Sequence, residues 1–362
     1  MIVVDAHEDI AWNILTFGRD YSRSVYETRR LEQGSDTEER NGQTLLGWPE
    51  WVKGRVGIVF ATLFAAPVRH RVGSWEAACY EDAEGAHRLY REQLEAYNRL
   101  FDEQLDKFQR VTDQSGLEEV LGGWEKDPPD PRLGLVLLME GADGVRQPAE
   151  LEEWHAQGIR IVGPAWTGTR YSGGTGEPGP LTSAGRDLLM VMAGLGLILD
   201  LSHMAEEAAS QALDVFEGTL IASHSNCRAL LDGSEKPDRH LADDTIRAIT
   251  DRDGVIGIVA YNRFLKGTWR LGDSREGITL EHLAAQIDHV CQLVGDVGHV
   301  GLGSDFDGGF GLGRIPEGLD SVADLRLIGD RLASWGYAAT EIEAVLGGNW
   351  LGVLRRALPP GS

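Results

Sequence analysis

Residues 2–10 read Ile2-Val3-Val4-Asp5-Ala6-His7-Glu8-Asp9-Ile10, an apolar run that ends in an imidazole flanked by carboxylates. A strand buried on both faces reads as a continuous apolar run, not as an alternation. Residues 2–7 are therefore expected to form such a strand, with polar groups at its carboxyl end. The arrangement recurs along the chain. Leu135-Val136-Leu137-Leu138-Met139 runs into Glu140-Gly141, Leu197-Ile198-Leu199-Asp200-Leu201 into Ser202-His203, Leu220-Ile221-Ala222 into Ser223-His224, and Val300-Gly301-Leu302-Gly303 into Ser304-Asp305-Phe306-Asp307.

Eight candidate strands emerge, at 2–7, 56–64, 133–140, 159–166, 197–203, 219–224, 255–261 and 300–305. Amphipathic stretches at 75–109, 182–193, 205–216, 243–252 and 280–294 separate them. This alternation predicts the α/β class and a (β/α)8 TIM-type barrel, whose sites lie at the carboxyl ends of the strands, where the ionisable residues fall.

The chain length of 362 residues suits a single barrel domain, 1–362, with rim insertions. One insertion is 17–51, polar and charge-rich, expected to be a lid or an interface element. The other is 167–180, whose Gly173-Gly174-Thr175-Gly176 and Pro178-Gly179-Pro180 read as a mobile loop. It has neither a Walker lysine nor dinucleotide spacing. Residues 340–358 read as closing helices.

A formal net charge of -23 repels phosphate backbones and anionic membranes, so nucleic acid and membrane surfaces are not expected partners. Cys79, Cys227 and Cys291 are widely spaced without a CxxC pair. Neither a disulfide framework nor a thiolate metal site follows from them, and reduced, cytoplasmic thiols are the expectation. No targeting segment, membrane-length apolar run or lipid-anchor signal is legible.

His7 and Asp9 form an HxD unit. On an extended segment positions i and i+2 face the same side, so both can share one cation; the alternative is a hydrogen-bonded or capping pair. Glu140 ends an apolar run, where a carboxylate is costly unless a cation or donor meets it. It can bridge two metals or pair with Arg146 or Arg170. His203 and His224 follow serines at consecutive strand ends, and neutral imidazoles suit zinc. Asp305 lies where a proton-shuttling carboxylate would face the metals, whereas Asp307 reads as a turn or cap aspartate. His70, His87, His155, His282, His289 and His299 are assigned no chemistry, and His240, beside Arg239, is ambiguous. The set is enough for a two-metal hydrolytic centre.

These segments, in this order from residue 5 to about 354, resemble the membrane (renal) dipeptidase family, zinc enzymes with a barrel fold. The resemblance rests on Asp5-Ala6-His7-Glu8-Asp9-Ile10, Glu140-Gly141, Leu201-Ser202-His203, Ser223-His224-Ser225-Asn226 and Gly303-Ser304-Asp305-Phe306-Asp307-Gly308. It implies two Zn2+ ions, one on His7 and Asp9, one on His203 and His224, bridged by Glu140, with a bridging hydroxide as nucleophile. It further implies Asp305 as proton shuttle and Arg239 as the receptor of the substrate's terminal carboxylate, for which a guanidinium's paired donors are suited. The implied substrates are small dipeptides, including those with a D-residue at the carboxyl end.

The chain departs from the family at Trp166, which aligns with a histidine that contacts the scissile carbonyl oxygen. An indole donates a hydrogen bond but carries no charge, so Arg170 or Tyr171 is the expected substitute. The stretch between His224 and Arg239 is also longer than usual for the family. Two further readings follow: a zinc amidohydrolase acting on another amide or a lactam, and a non-catalytic metal-binding barrel. Related enzymes are often dimers, which makes a homodimer an expectation with no interface signature of its own.

Overall fold

The structure is a computed structural model that describes residues 1–234 and 236–361. Eight strands, β1 (Val3–Glu8), β2 (Val56–Phe64), β3 (Leu133–Glu140), β4 (Ile159–Gly163), β5 (Ile198–Asp200), β6 (Leu220–Ile221), β7 (Ile256–Ile258) and β8 (Val300–Leu302), form its centre. They are hydrogen-bonded in the order β6-β5-β4-β3-β2-β1-β8-β7, and all these pairs are parallel. A parallel bridge between Ala222 and Ile256 joins the two ends of that path, giving the (β/α)8 barrel.

The apolar runs are continuous because both faces of each strand are covered. Val3, Val59, Ala61, Leu135 and Leu137 pack in one core cluster, while the alternating Val4, Ala6, Ile58, Phe60, Val136 and Leu138 pack in another, against Trp350. Five expected strands, 159–166, 197–203, 219–224, 255–261 and 300–305, are shorter in the sheet, where only Ile159–Gly163, Ile198–Asp200, Leu220–Ile221, Ile256–Ile258 and Val300–Leu302 are laddered. The Ser-His tails turn out of the sheet, and His203 takes a left-handed backbone at φ 67°.

Helices flank the strands much as the periodicity predicts, with ends set by caps. Asp82 accepts from the Gly85 amide and starts a helix at Ala83–Glu103, so 75–82 stays outside it. Thr182 caps Ser183–Leu195 in the same way, and Gly196, at φ 68°, ends it. A further helix, Gln114–Glu125, is started by Asp113; its three glycines weaken its helical signal in the sequence.

The insertion 17–51 contributes helices Val25–Glu32, Asp36–Asn41 and Trp48–Gly54. Segment 167–180, expected as a loop, instead holds an antiparallel hairpin of Ser172–Gly174 with Glu177–Leu181. Its strands meet at two glycines: a Cβ on Gly173 would lie 2.3 Å from the Gly179 nitrogen. The hairpin is tied to the loop after β2, because Glu177 accepts from Arg69 at 2.7 Å and lies 2.8 Å from His70 Nε2. The chain closes with Ala339–Glu343, a π turn at Ala344–Gly348 and Asn349–Ala357. Among the described residues no helix is long and apolar enough to cross a membrane, and the three cysteines are free thiols.

Candidate active site

Six side chains from the ends of five strands converge on the carboxyl rim. Glu140, the last residue of β3, places Oε1 at 3.5 Å from His7 Nε2, 3.2 Å from His203 Nε2 and 3.3 Å from His224 Nε2. The Nε2 atoms of His203 and His224 are themselves 3.0 Å apart. On the other side of His7, ligand atoms of His7, Asp9 and Asp305 all lie within 4.8 Å of one another, with His7 Nε2 4.0 Å from Asp9 Oδ2. The structure thus brings together two adjacent clusters that share His7.

Hydrogen bonds behind the rings decide which nitrogen faces the centre. Ser223 Oγ donates to Asp200 Oδ2 at 2.5 Å, so its lone pairs face His224 Nδ1 at 2.8 Å and His7 Nδ1 at 3.3 Å. Thr175 Oγ1 lies 3.0 Å from His203 Nδ1. With the Nδ1 atoms of His7 and His224 donating to Ser223, their Nε2 lone pairs point at Glu140, acceptor against acceptor. Burial and the nearby Arg239 push all three imidazoles well below the usual histidine range, which keeps them neutral. His7 Nε2 is buried without a hydrogen-bond partner. Neutral nitrogens and carboxylate oxygens with nothing to donate between them fit metal cations, and this donor set suits zinc.

The carboxylates carry the complementary strain. Burial, followed by the charges of Asp9 and then Asp305, raises Glu140 well above the ordinary range. Burial raises Asp9 to about 7, against a 2.5 Å hydrogen bond from Thr62 Oγ1 that lowers it. Backbone strain collects here as well. Of the five described non-glycine residues with left-handed backbone, His203, Asp305 and Asp307 are on this rim, a placement that rigid surroundings must impose. Gly308 makes room for it: a Cβ there would lie 2.2 Å from Asp305 Oδ1 and 2.8 Å from Asp9 Oδ2.

Ser223, Asp200, Thr62 and Thr175 were assigned no role from sequence. The visible signal was small: serine precedes both His203 and His224, and Asp200 interrupts an apolar run. Removing the shared hydroxyl in Ser223→Ala should weaken metal retention by about 10–100-fold, read by competition with a chromogenic chelator. Unchanged retention would mean that packing alone orients the two rings.

The centre opens into a cavity of about 460 Å3. Trp166 forms part of its wall, edge-on to Phe64 at 5.0 Å and 6.2 Å from the His203 ring. Arg239 reaches it from the loop after β6. Its Nη2 donates to the His224 carbonyl at 2.8 Å and Nη1 to Ser225 Oγ at 3.2 Å, while Nε is buried without a partner. His240 lines the same wall, against Phe264.

Arg170 and Tyr171, the expected substitutes at the carbonyl, are held elsewhere. Arg170 donates to the carbonyls of Arg146 and Asp143 and lies beside the Asp143 carboxylate, and the buried Tyr171 hydroxyl donates to the Val145 carbonyl. Both side chains turn back to the loop after β3, whose polar groups they satisfy, and neither lines the cavity. The alternative ion pair for Glu140 is also absent, since Arg146 binds Glu150 and Glu84.

Asp307 departs from the turn-or-cap expectation. Its buried carboxylate accepts from Arg19 Nη1 at 3.0 Å, Tyr21 OH at 2.8 Å, Thr44 Oγ1 at 2.6 Å and the Leu45 amide at 2.9 Å. It therefore anchors the 17–51 insertion to the rim rather than capping a local turn.

Residues 1–358 match the membrane dipeptidase family, peptidase family M19. The chain belongs to the membrane dipeptidase family. A relative from Klebsiella pneumoniae, an uncharacterized protein in the pqqA 5' region, is 35% identical over 236 residues, 62% of this chain and 83% of its own length. The dipeptidase aclJ of Aspergillus oryzae is 25% identical over 359 residues, 97% of this chain and 77% of its own. An uncharacterized dipeptidase of Schizosaccharomyces pombe is 30% identical, and the matched region spans about half of its length, 52%. Among solved structures, a metallo peptidase from Rhodobacter sphaeroides liganded with a phosphinate mimic of the dipeptide L-Ala-D-Ala has a TM-score of 0.80 at 23% identity, covering 99% of both chains. That likeness shows the shared barrel. Membership of the membrane dipeptidase family makes this protein a metallopeptidase.

Proposed function

We propose that this protein is a two-zinc dipeptidase acting on small dipeptides, D-residues at the carboxyl end included. The observation that carries this reading is the position of Glu140 Oε1 among three neutral imidazole nitrogens. In this assignment His7 and Asp9 hold one ion, His203 and His224 the other, and Glu140 is shared. Bound zinc would supply Lewis-acid polarisation of the scissile carbonyl and acidify water at neutral pH.

The chain's own residues do the rest. Arg239, with an unpartnered buried Nε, receives the substrate's terminal carboxylate and so fixes its direction in the cavity. Asp305 takes the proton of the attacking water and returns it to the departing amine; its carboxylate lies beside His7 and Asp9 and faces the cavity. Trp166 shapes the wall and shields the reacting bond from bulk water. Three free thiols agree with a reducing, cytoplasmic setting.

The experiment is metal analysis of protein purified without chelators, followed on the same sample by hydrolysis of a panel of L,L- and L,D-dipeptides. Two zinc ions per chain with turnover is the expected result. Two ions with no turnover of any dipeptide would overturn the substrate assignment, and no bound metal would overturn the site.

A further inference from the structure

Acidic residues outnumber basic ones in this chain by 57 to 34, so a typical arginine or lysine has carboxylates to choose from. Around the cavity the pattern breaks. Lys236, Arg239 and Arg314 all line it, and among the described residues none of them has a carboxylate within ion-pair distance. Arg239 is occupied by the His224 carbonyl and Ser225, and Arg314 donates to the Gly309 carbonyl at 3.2 Å. Lys236 Nζ reaches the tip of the 172–181 hairpin, where a Cβ on Gly176 would lie 3.7 Å from it. Three cations with no acidic partner among the described residues, on the wall of one cavity in so acidic a chain, mark a receptor for more than one anionic group.

Barrel order places them relative to a bound dipeptide. Lys236 and Arg239 follow β6 and Arg314 follows β8, whereas Glu76, also on the cavity wall, follows β2, across the ring from β6. Beside Arg239 stands an aromatic wall. The Arg239 guanidinium lies over Phe264, Phe264 packs on Tyr261, and Tyr261 stacks on Phe310 at 4.6 Å. With the terminal carboxylate on Arg239, as the dipeptidase reading has it, the carboxyl-terminal side chain would lie beside Phe264, in the cavity that Lys236 and Arg314 line.

We propose that the cavity selects dipeptides whose carboxyl-terminal residue carries an acidic side chain, with Lys236 and Arg314 receiving that second carboxylate. This rests on the dipeptidase reading for the direction of the substrate. It makes Lys236 and Arg314 specificity residues, distinct from those that hold the metals.

The test compares kcat/KM for Ala-Asp with Ala-Asn, each with L- and D-residues at the carboxyl end, in metal-loaded protein. Calorimetry of aspartate and asparagine binding runs beside it. A preference for the acid of about tenfold or more is expected, the scale of one charge-assisted hydrogen bond. The ratio should fall toward one in the Lys236→Met, Arg314→Met double variant. Equal values for Asp and Asn, or a preference that survives the double variant, would overturn the proposal. If no dipeptide is hydrolysed, the dipeptidase reading falls, and the calorimetry, which needs no turnover, still decides whether the cavity prefers the acid.

Discussion

Asp305→Asn is expected to lower kcat by about a thousandfold, the upper part of the range for loss of a positioned general acid or base, while the folded protein keeps its metals. Asparagine has nearly the same volume and tolerates the left-handed backbone that Asp305 adopts at φ 62°. The Asp305 amide still bonds the His7 carbonyl at 3.1 Å, so the rim keeps its shape. What disappears is the capacity to take up a proton. KM should change far less than kcat, because Arg239 and the cavity wall are untouched. Metal content separates the two roles open to this carboxylate. Asp305 lies within 4.8 Å of the ligand atoms of His7 and Asp9, and if it were itself a required ligand, the variant would lose one ion along with its activity. Activity equal to that of the unaltered protein would exclude it as the proton carrier.

The barrel was legible because burying a strand on both faces leaves an unbroken apolar run, and the rim was legible because ionisable groups end those runs. His7, Glu140, His203 and His224 come together on that principle alone. Legibility stopped where side chains satisfy one another across the sequence. Arg170 looked available for the substrate, yet the carbonyls of Asp143 and Arg146 claim it. Ser223 had no role beyond preceding His224, yet it faces both His7 and His224. Neither partnership has a periodicity or a local signature. The hairpin at 172–181 was hidden for another reason: its glycines and prolines are turn signals, and here they serve as a close contact between two short strands. Strand lengths were overestimated from β4 to β8 because burial continues past the last ladder hydrogen bond, into residues that have already turned toward the site.

Asp307 shows the same limit with a large consequence for stability. Two residues past Asp305, it resembles a turn aspartate, yet its partners lie 262 to 288 positions away. Asp307→Ala should destabilise the protein by about 3–5 kcal/mol, the cost of leaving one partner of a buried ion pair uncompensated. Arg19 is the group abandoned: its side chain is 1% exposed, and burial of its charge is offset first by Asp307 and then by neighbours such as Tyr21 and Glu32. Asp307→Asn should cost less, since an amide oxygen still accepts from Tyr21 and Thr44. Pairing Asp307→Asn with Arg19→Met should recover part of the loss, because the buried Arg19 charge is then gone and only the partly exposed Glu32 carboxylate loses a partner. Thermal unfolding of the four proteins closes this cycle. A single variant Asp307→Ala that melts with the parent would show that the insertion holds the rim by packing alone. The coupling reaches the metal centre, because Asn13 Nδ2 donates to the carbonyls of both Asp9 and Asp307, at 2.6 and 2.9 Å, and Asn13 Oδ1 accepts from Arg19 at 3.0 Å. Loosening Asp307 therefore loosens the segment that carries Asp9, and metal affinity should fall in the same order as melting temperature across the series.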